Sequence, residues 1–99
     1  MEKRKNNQEY ANDFFELFVA LPNKEIVNQV MEDFFTLSEL EAVAQRWQIV
    51  KMLEQGISQR QISEKLGVGI ATITHGSQTL KQKGDGFRWL LGRNSKLRI

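Results

Sequence analysis

Apolar residues recur along this chain at intervals of three and four, the spacing that gathers them on one side of an α-helix. The first stripe is Tyr10, Phe14, Leu17, Phe18 and Leu21. Pro22, the sole proline, should end that helix by Leu21, since proline restricts the residue before it and has no N–H to donate. Asn23 is placed to cap a second helix that carries Ile26, Val27, Val30, Met31, Phe34 and Phe35. A third helix starts near "TLSELEAV", where two capping boxes overlap: Thr36 with Glu39, and Ser38 with Glu41. The Thr36 frame is preferred because it also sets Phe35 against Leu40 as a hydrophobic staple, where the other offers only Leu37 and Ala42. Its stripe is Leu40, Val43, Trp47, Val50 and Leu53, widened by Ala44, Ile49 and Met52, with Gly56 as the stop. A helix so broadly apolar has to bury more than one side. In a short chain, a second subunit could cover the other.

Ser58 opens a short fourth helix, with Gln61 closing its capping box and Ile57 and Ile62 as the staple. Ile62 and Leu66 point inward, and Gly67 ends it. A fifth helix begins near Ile70, with Ile73, Ser77 and Leu80 on its inner side. "FRWLL" suits a short last helix packing Phe87, Leu90 and Leu91, stopped by Gly92, with "RNSKLRI" fraying. Trp47 and Trp89 both fall on apolar spacing and read as core or interface. Strand-like alternation is scarce. The expected fold class is therefore all-α, with five to six helices. The expected organisation is a flexible arm over 1–8, one domain over 9–91 and a basic tail over 92–99.

Three residues, two of them glycine, separate the fourth and fifth helices, the proportion of a helix-turn-helix spanning 58–82. Gly67 can turn left-handed without a Cβ penalty. Two short helices crossing so sharply present the second as a convex ridge that fits a major groove. At about 100° per residue, with Ile73 inward, Ala71, His75, Gln78 and Gln82 point outward. Thr72 and Thr79 lie to one side and Thr74 to the other. The ridge is small, polar and free of acids, which suits phosphates and base edges. Its N-terminus adds unpaired N–H groups and a positive dipole end. Gln59 and Arg60 stand where they could reach the DNA backbone or a guanine edge, and Lys81 and Lys83 extend the basic surface.

Charge changes the picture more than composition does. The net charge is only +2, yet residues 1–54 hold six Lys/Arg against ten Asp/Glu, while residues 55–99 hold eight against two. The half with the helix-turn-helix therefore attracts a polyanion, nucleic acid before an anionic membrane. With no cysteine and one histidine, disulfides, thiolate or histidine metal clusters and a nucleophile–base set lack material, so neither an enzyme nor a cofactor is expected. No run reaches the roughly 18 apolar residues of a membrane span, and no signal core follows the charged start, so the expected setting is the cytoplasm.

"SQRQISEKLGVGIATITHGSQTLK" (Ser58 to Lys81) resembles the DNA-reading region of the bacterial tryptophan repressor family, and "AQRWQIVKMLEQG" (Ala44 to Gly56) is similar to its long third helix. The resemblance implies an intertwined all-helical homodimer, which would account for the two-sided third helix. It implies two reading heads about 34 Å apart on a palindromic operator in duplex DNA. L-tryptophan or a related ligand would be the corepressor that sets the heads' spacing. It further implies DNA contacts from Gln59, Arg60, Gly69, Ile70, Ala71, Thr72, Thr74 and Lys81, and ligand contacts from Thr36, Arg46, His75, Gly76 and Thr79. Ser63 stands where the family usually has lysine. His75 stands where characterised repressors have an arginine that stacks on the indole and clasps the carboxylate. A histidine keeps the flat ring but lacks the five-donor fork and permanent charge. Two other readings stay open from the residues: a helix-turn-helix module that binds a protein partner, and one that binds DNA without a ligand.

Overall fold

The computed structural model describes residues 7–97, and the side chains of residues 7–92. Six helices follow one another: α1 (Asn7–Val19), α2 (Lys24–Phe34), α3 (Leu37–Glu54), α4 (Gln59–Leu66), α5 (Ile70–Gln82) and α6 (Asp85–Leu97). No strand occurs among the described residues. The chain divides after Leu37 into two compact units.

In the first unit, α1 ends as Pro22 demands. Ala20 and Leu21 N–H groups donate to the carbonyls of Leu17 and Phe18, each at 3.3 Å, tightening the last turn before the proline. The helix also begins earlier than the expected arm allowed: Asn7 and Gln8 are helical. The rest of the arm, residues 1–6, lies outside the described residues. Asn23 caps α2 by accepting from the Ile26 N–H at 3.0 Å. Phe14 meets Phe34 edge-on at 5.0 Å and Phe18 at 4.9 Å, so an aromatic cluster holds the two helices together. Neither helix has a fully buried residue within this chain.

The second unit carries the core. Ile49 and Met52 of α3, Ile62 of α4 and Ile73 of α5 form one buried cluster, with Leu53, Ile57, Leu66 and Val68 packed around it. Burying each of these side chains contributes roughly 1.5–3 kcal/mol, enough to define where the helix-turn-helix sits on α3. Thr36 immediately precedes α3, the position its preference as an N-cap requires. The far end closes on Gly56 at φ 81°, where the Gly56 N–H donates to Leu53 O at 3.0 Å and the Ile57 N–H to Met52 O at 3.1 Å. This pair of bonds satisfies two terminal carbonyls and turns Ile57 back onto the buried cluster. The broad apolar face of α3 is only partly used. Ile49, Val50 and Met52 are buried, whereas Val43 is 52% exposed and Leu37 74% exposed.

The last helix departs from expectation. Gly92 does not stop it, and α6 runs on to Leu97, so most of the expected tail is helical; residues 98–99 lie outside the described residues. A glycine whose φ stays helical costs a helix interior only about 1 kcal/mol, and no left-handed turn is asked of Gly92. Leu91 is buried and Phe87 is half-buried, stacked 6.5 Å from Trp47. Leu90 and Trp89 are 42% and 64% exposed, so neither belongs to the core of this chain. The stripe is narrower than "FRWLL" suggests: of its apolar positions, Phe87 and Leu91 are covered within this chain and Leu90 is not.

Candidate functional site

The turn between α4 and α5 is built from the residues that its sequence offers. Ser58 Oγ accepts from the Gln61 N–H at 3.2 Å and Gln61 Oε1 accepts from the Ser58 N–H at 3.3 Å, closing the capping box. Gly67 ends α4 at φ 68°, ψ 33°, its N–H donating to Ser63 O at 2.9 Å. Ser63 closes the turn a second time, its hydroxyl donating to Val68 O at 2.6 Å. Ser63 thus spends its side chain within the turn. Gly69 then opens α5 in extended backbone, φ −70° and ψ 152°, without any side-chain cap. Among the described residues nothing lies within 4 Å of a Cβ built there, so their packing does not require glycine at this position.

The ridge lies as the 100° rule placed it. Ile73 is fully buried, and Ala71, His75, Gln78 and Gln82 are exposed, as are Ile70, Thr72 and Lys81. No acidic residue occurs in α5. Arg60 reaches into solvent, with an ion pair to Glu64 at 3.6 Å in which both side chains are largely exposed. Such a pair is worth a fraction of a kcal/mol and yields readily to a phosphate. The i, i+4 spacing of Arg60 and Glu64 would have disclosed it. Thr74 is half-buried, and its hydroxyl donates to Gln59 Oε1 at 3.0 Å. No spacing rule signals that bond, because the two residues lie on different helices.

Next to the ridge a cleft of about 460 Å³ opens between α3 and α5, within the range of about 300–1,000 Å³ usual for small-molecule sites. Ala42, Gln45, Arg46 and Ile49 line it from α3; Ala71, Thr72, His75 and Gly76 line it from α5. The α3 set is spaced i, i+3, i+4, i+7, one helical face, and that spacing is the signal by which Ala42, Gln45 and Ile49 could have been found. The cleft has small walls, one flat ring, one guanidinium and no carboxylate. It can take a planar apolar group that carries an anion. Gly76 is buried there because α3 passes close: a Cβ on it would stand 3.2 Å from Ile49 Cγ2. The structure thus brings Arg46, His75 and Gly76 together. Thr79 is not part of this lining; its hydroxyl donates to His75 O at 3.0 Å, and it borders a separate apolar hollow with Gly84, Gly86, Phe87 and Leu90. Thr36 belongs to the first unit.

Comparison with known proteins bears on both features. A family model described as Trp repressor protein matches residues 8–95. A Trp operon repressor homolog of Chlamydia caviae is 35% identical over 89 residues, covering 89% of this chain and 88% of that protein. One from Chlamydia trachomatis is 38% identical over 90 residues, covering 86% and 94%. Among solved structures, a TrpR-like protein from Eubacterium eligens superposes with a TM-score of 0.84 at 26% identity, covering 91% of this chain and 96% of that one.

Proposed function

This chain belongs to the Trp repressor family, whose members are DNA-binding regulators and not enzymes, and on that footing we propose that it represses transcription by binding a palindromic operator as a homodimer, with L-tryptophan or a related ligand as corepressor. The observation that carries the reading is the outer face of α5: exposed, polar and without an acid, held outward by the fully buried Ile73. Ile70, Ala71, Thr72 and Lys81 meet the duplex from α5, with the uncapped Gly69 end presenting backbone N–H groups to phosphate. Gln59 and Arg60 meet it from α4. The dimer reading draws support from the broad apolar face of α3, on which Val43 stays 52% exposed within this chain.

The corepressor is placed in the cleft between α3 and α5. Arg46 is its cation, His75 its flat wall, and Gly76 leaves room at its floor. Roles for Thr36 and Thr79 rest on the family resemblance alone. Ligand bound there touches both the core helix and the reading helix, so it biases how the ridge stands on α3. With a histidine in place of the arginine fork, binding of DNA without a ligand is the second reading.

Selection of duplexes from a random pool, with and without L-tryptophan, tests all of this. The expected product has two half-sites one helical turn apart, about 34 Å, enriched when L-tryptophan is present. Equal enrichment without it favours the ligand-independent reading. Failure to enrich any duplex, or a duplex affinity that does not fall between about 50 and 200 mM salt, refutes the assignment to DNA.

A further inference from the structure

Thr74 follows the buried Ile73 on α5, and its hydroxyl donates to Oε1 of Gln59, the first residue of α4. A threonine inside a helix often turns its hydroxyl back to the carbonyl four residues earlier. Thr79 does so, donating to His75 O. Thr74 instead reaches across to the other helix of the reading head. Both partners are half-buried, which strengthens the bond relative to one in open water.

A carboxamide has an acceptor end and a donor end. With one lone pair of the Gln59 oxygen engaged by Thr74, the NH2 end keeps both of its donors for a partner. We propose that Thr74 is a positioning residue: it acts on DNA through Gln59, anchoring that carboxamide by its oxygen so that the NH2 end is the one presented. Held this way, Gln59 suits a phosphate oxygen or an acceptor edge such as guanine O6/N7 or thymine O4. Bidentate pairing to adenine, which needs the amide oxygen as well as the nitrogen, competes with Thr74 for that oxygen. The bond also fixes the side chain before DNA arrives, so less rotamer freedom is lost on binding. This assigns Thr74 a different part from the direct contact that the family resemblance implies, and it rests on the DNA-binding reading above.

A double-mutant cycle on a duplex selected by the wild-type protein separates the two roles. Gln59→Ala and Thr74→Val are each expected to weaken binding about tenfold, on the order of one lost hydrogen bond to a charged or base acceptor. If Thr74 works through Gln59, the double variant is no more than about twofold weaker than Gln59→Ala. Thr74→Ser, which keeps the hydroxyl, stays within about twofold of wild type. Repeated selection with Thr74→Val should lose base preference at the same position as with Gln59→Ala. Thr74→Ala removes the same hydroxyl without added bulk and carries the same expectation should the valine variant misfold. Losses that multiply to about a hundredfold, or a Thr74→Val protein with unchanged affinity and preference, overturn the inference alone. A pool from which the wild type enriches nothing overturns the DNA-binding reading and this inference with it.

Discussion

Gly67 tests whether the turn of the reading head is set by backbone conformation or by packing. It sits at φ 68°, ψ 33°, and a Cβ built on it meets nothing within 4 Å. Replacing it by alanine therefore costs conformation and no steric clash. An L-residue in the left-handed region pays roughly 1–2 kcal/mol. Restricting the unfolded chain returns about 0.4–1 kcal/mol. The net loss for Gly67→Ala is about 1 kcal/mol, or a fall in Tm of roughly 4–8 °C for a domain of this size. Asparagine tolerates the left-handed region better, so Gly67→Asn should fall by about half as much. Thermal melts followed by circular dichroism at one fixed protein concentration measure both, since association makes Tm depend on concentration. Duplex affinity well below Tm should stay within about twofold of wild type, because neither side chain has anything to displace. An alanine variant that melts with the wild type, or an asparagine variant no better than alanine, would show that the left-handed turn is not what Gly67 supplies.

The remaining tests are simpler. Gly84→Ala places a Cβ 2.9 Å from the Leu80 Cα and carbonyl oxygen, backbone that cannot step aside, so a loss of about 1–3 kcal/mol is expected in urea unfolding. Gly92→Ala meets nothing within 4 Å and lies inside α6, so the same assay should show a gain of about 0.5–1 kcal/mol; a loss would mean that the helix does end at that glycine. Thr72→Asp puts a carboxylate in the first turn of α5, where the helix tolerates it, so melting should be unchanged while affinity for a selected duplex falls about a hundredfold; wild-type affinity would refute the ridge as the DNA-reading face. His75→Arg restores a fork beside Arg46 in the cleft and should tighten L-tryptophan binding about tenfold by calorimetry; no heat from either protein would remove tryptophan as the ligand.

The helix-turn-helix was legible because its boundaries are written in short-range chemistry. Ser58, Gln61 and Gly67 each have one strong local preference, and the preferences agree. Ile62, Leu66 and Ile73 fall inward by period alone. The far end of α6 was misjudged for the complementary reason: Gly92 is a weak signal that permits a stop without enforcing one. Spacing reads Leu90 into the packing of α6 and Trp89 into core or interface, yet both are exposed within this chain, because which side of a helix is covered depends on tertiary geometry that no pattern encodes. The cleft was half legible. Arg46, His75 and Gly76 can be named from the resemblance, and the spacing of Ala42, Gln45, Arg46 and Ile49 marks one face of α3, but that this face stands opposite α5 is decided by tertiary packing. The Thr74–Gln59 bond was out of reach, since a hydroxyl with several acceptors nearby is decided by tertiary geometry.

The reading helix is tethered at both ends. At its front Thr74 holds α4 through Gln59. At its back Arg88 of α6 donates to Leu80 O at 2.7 Å, while its other nitrogen bonds Asp85 at 2.7 Å. A molecule that wedges the cleft and tilts α5 therefore pulls on α4 through the first bond and on α6 through the second, so the neighbours share the displacement until a bond worth about 1 kcal/mol gives way.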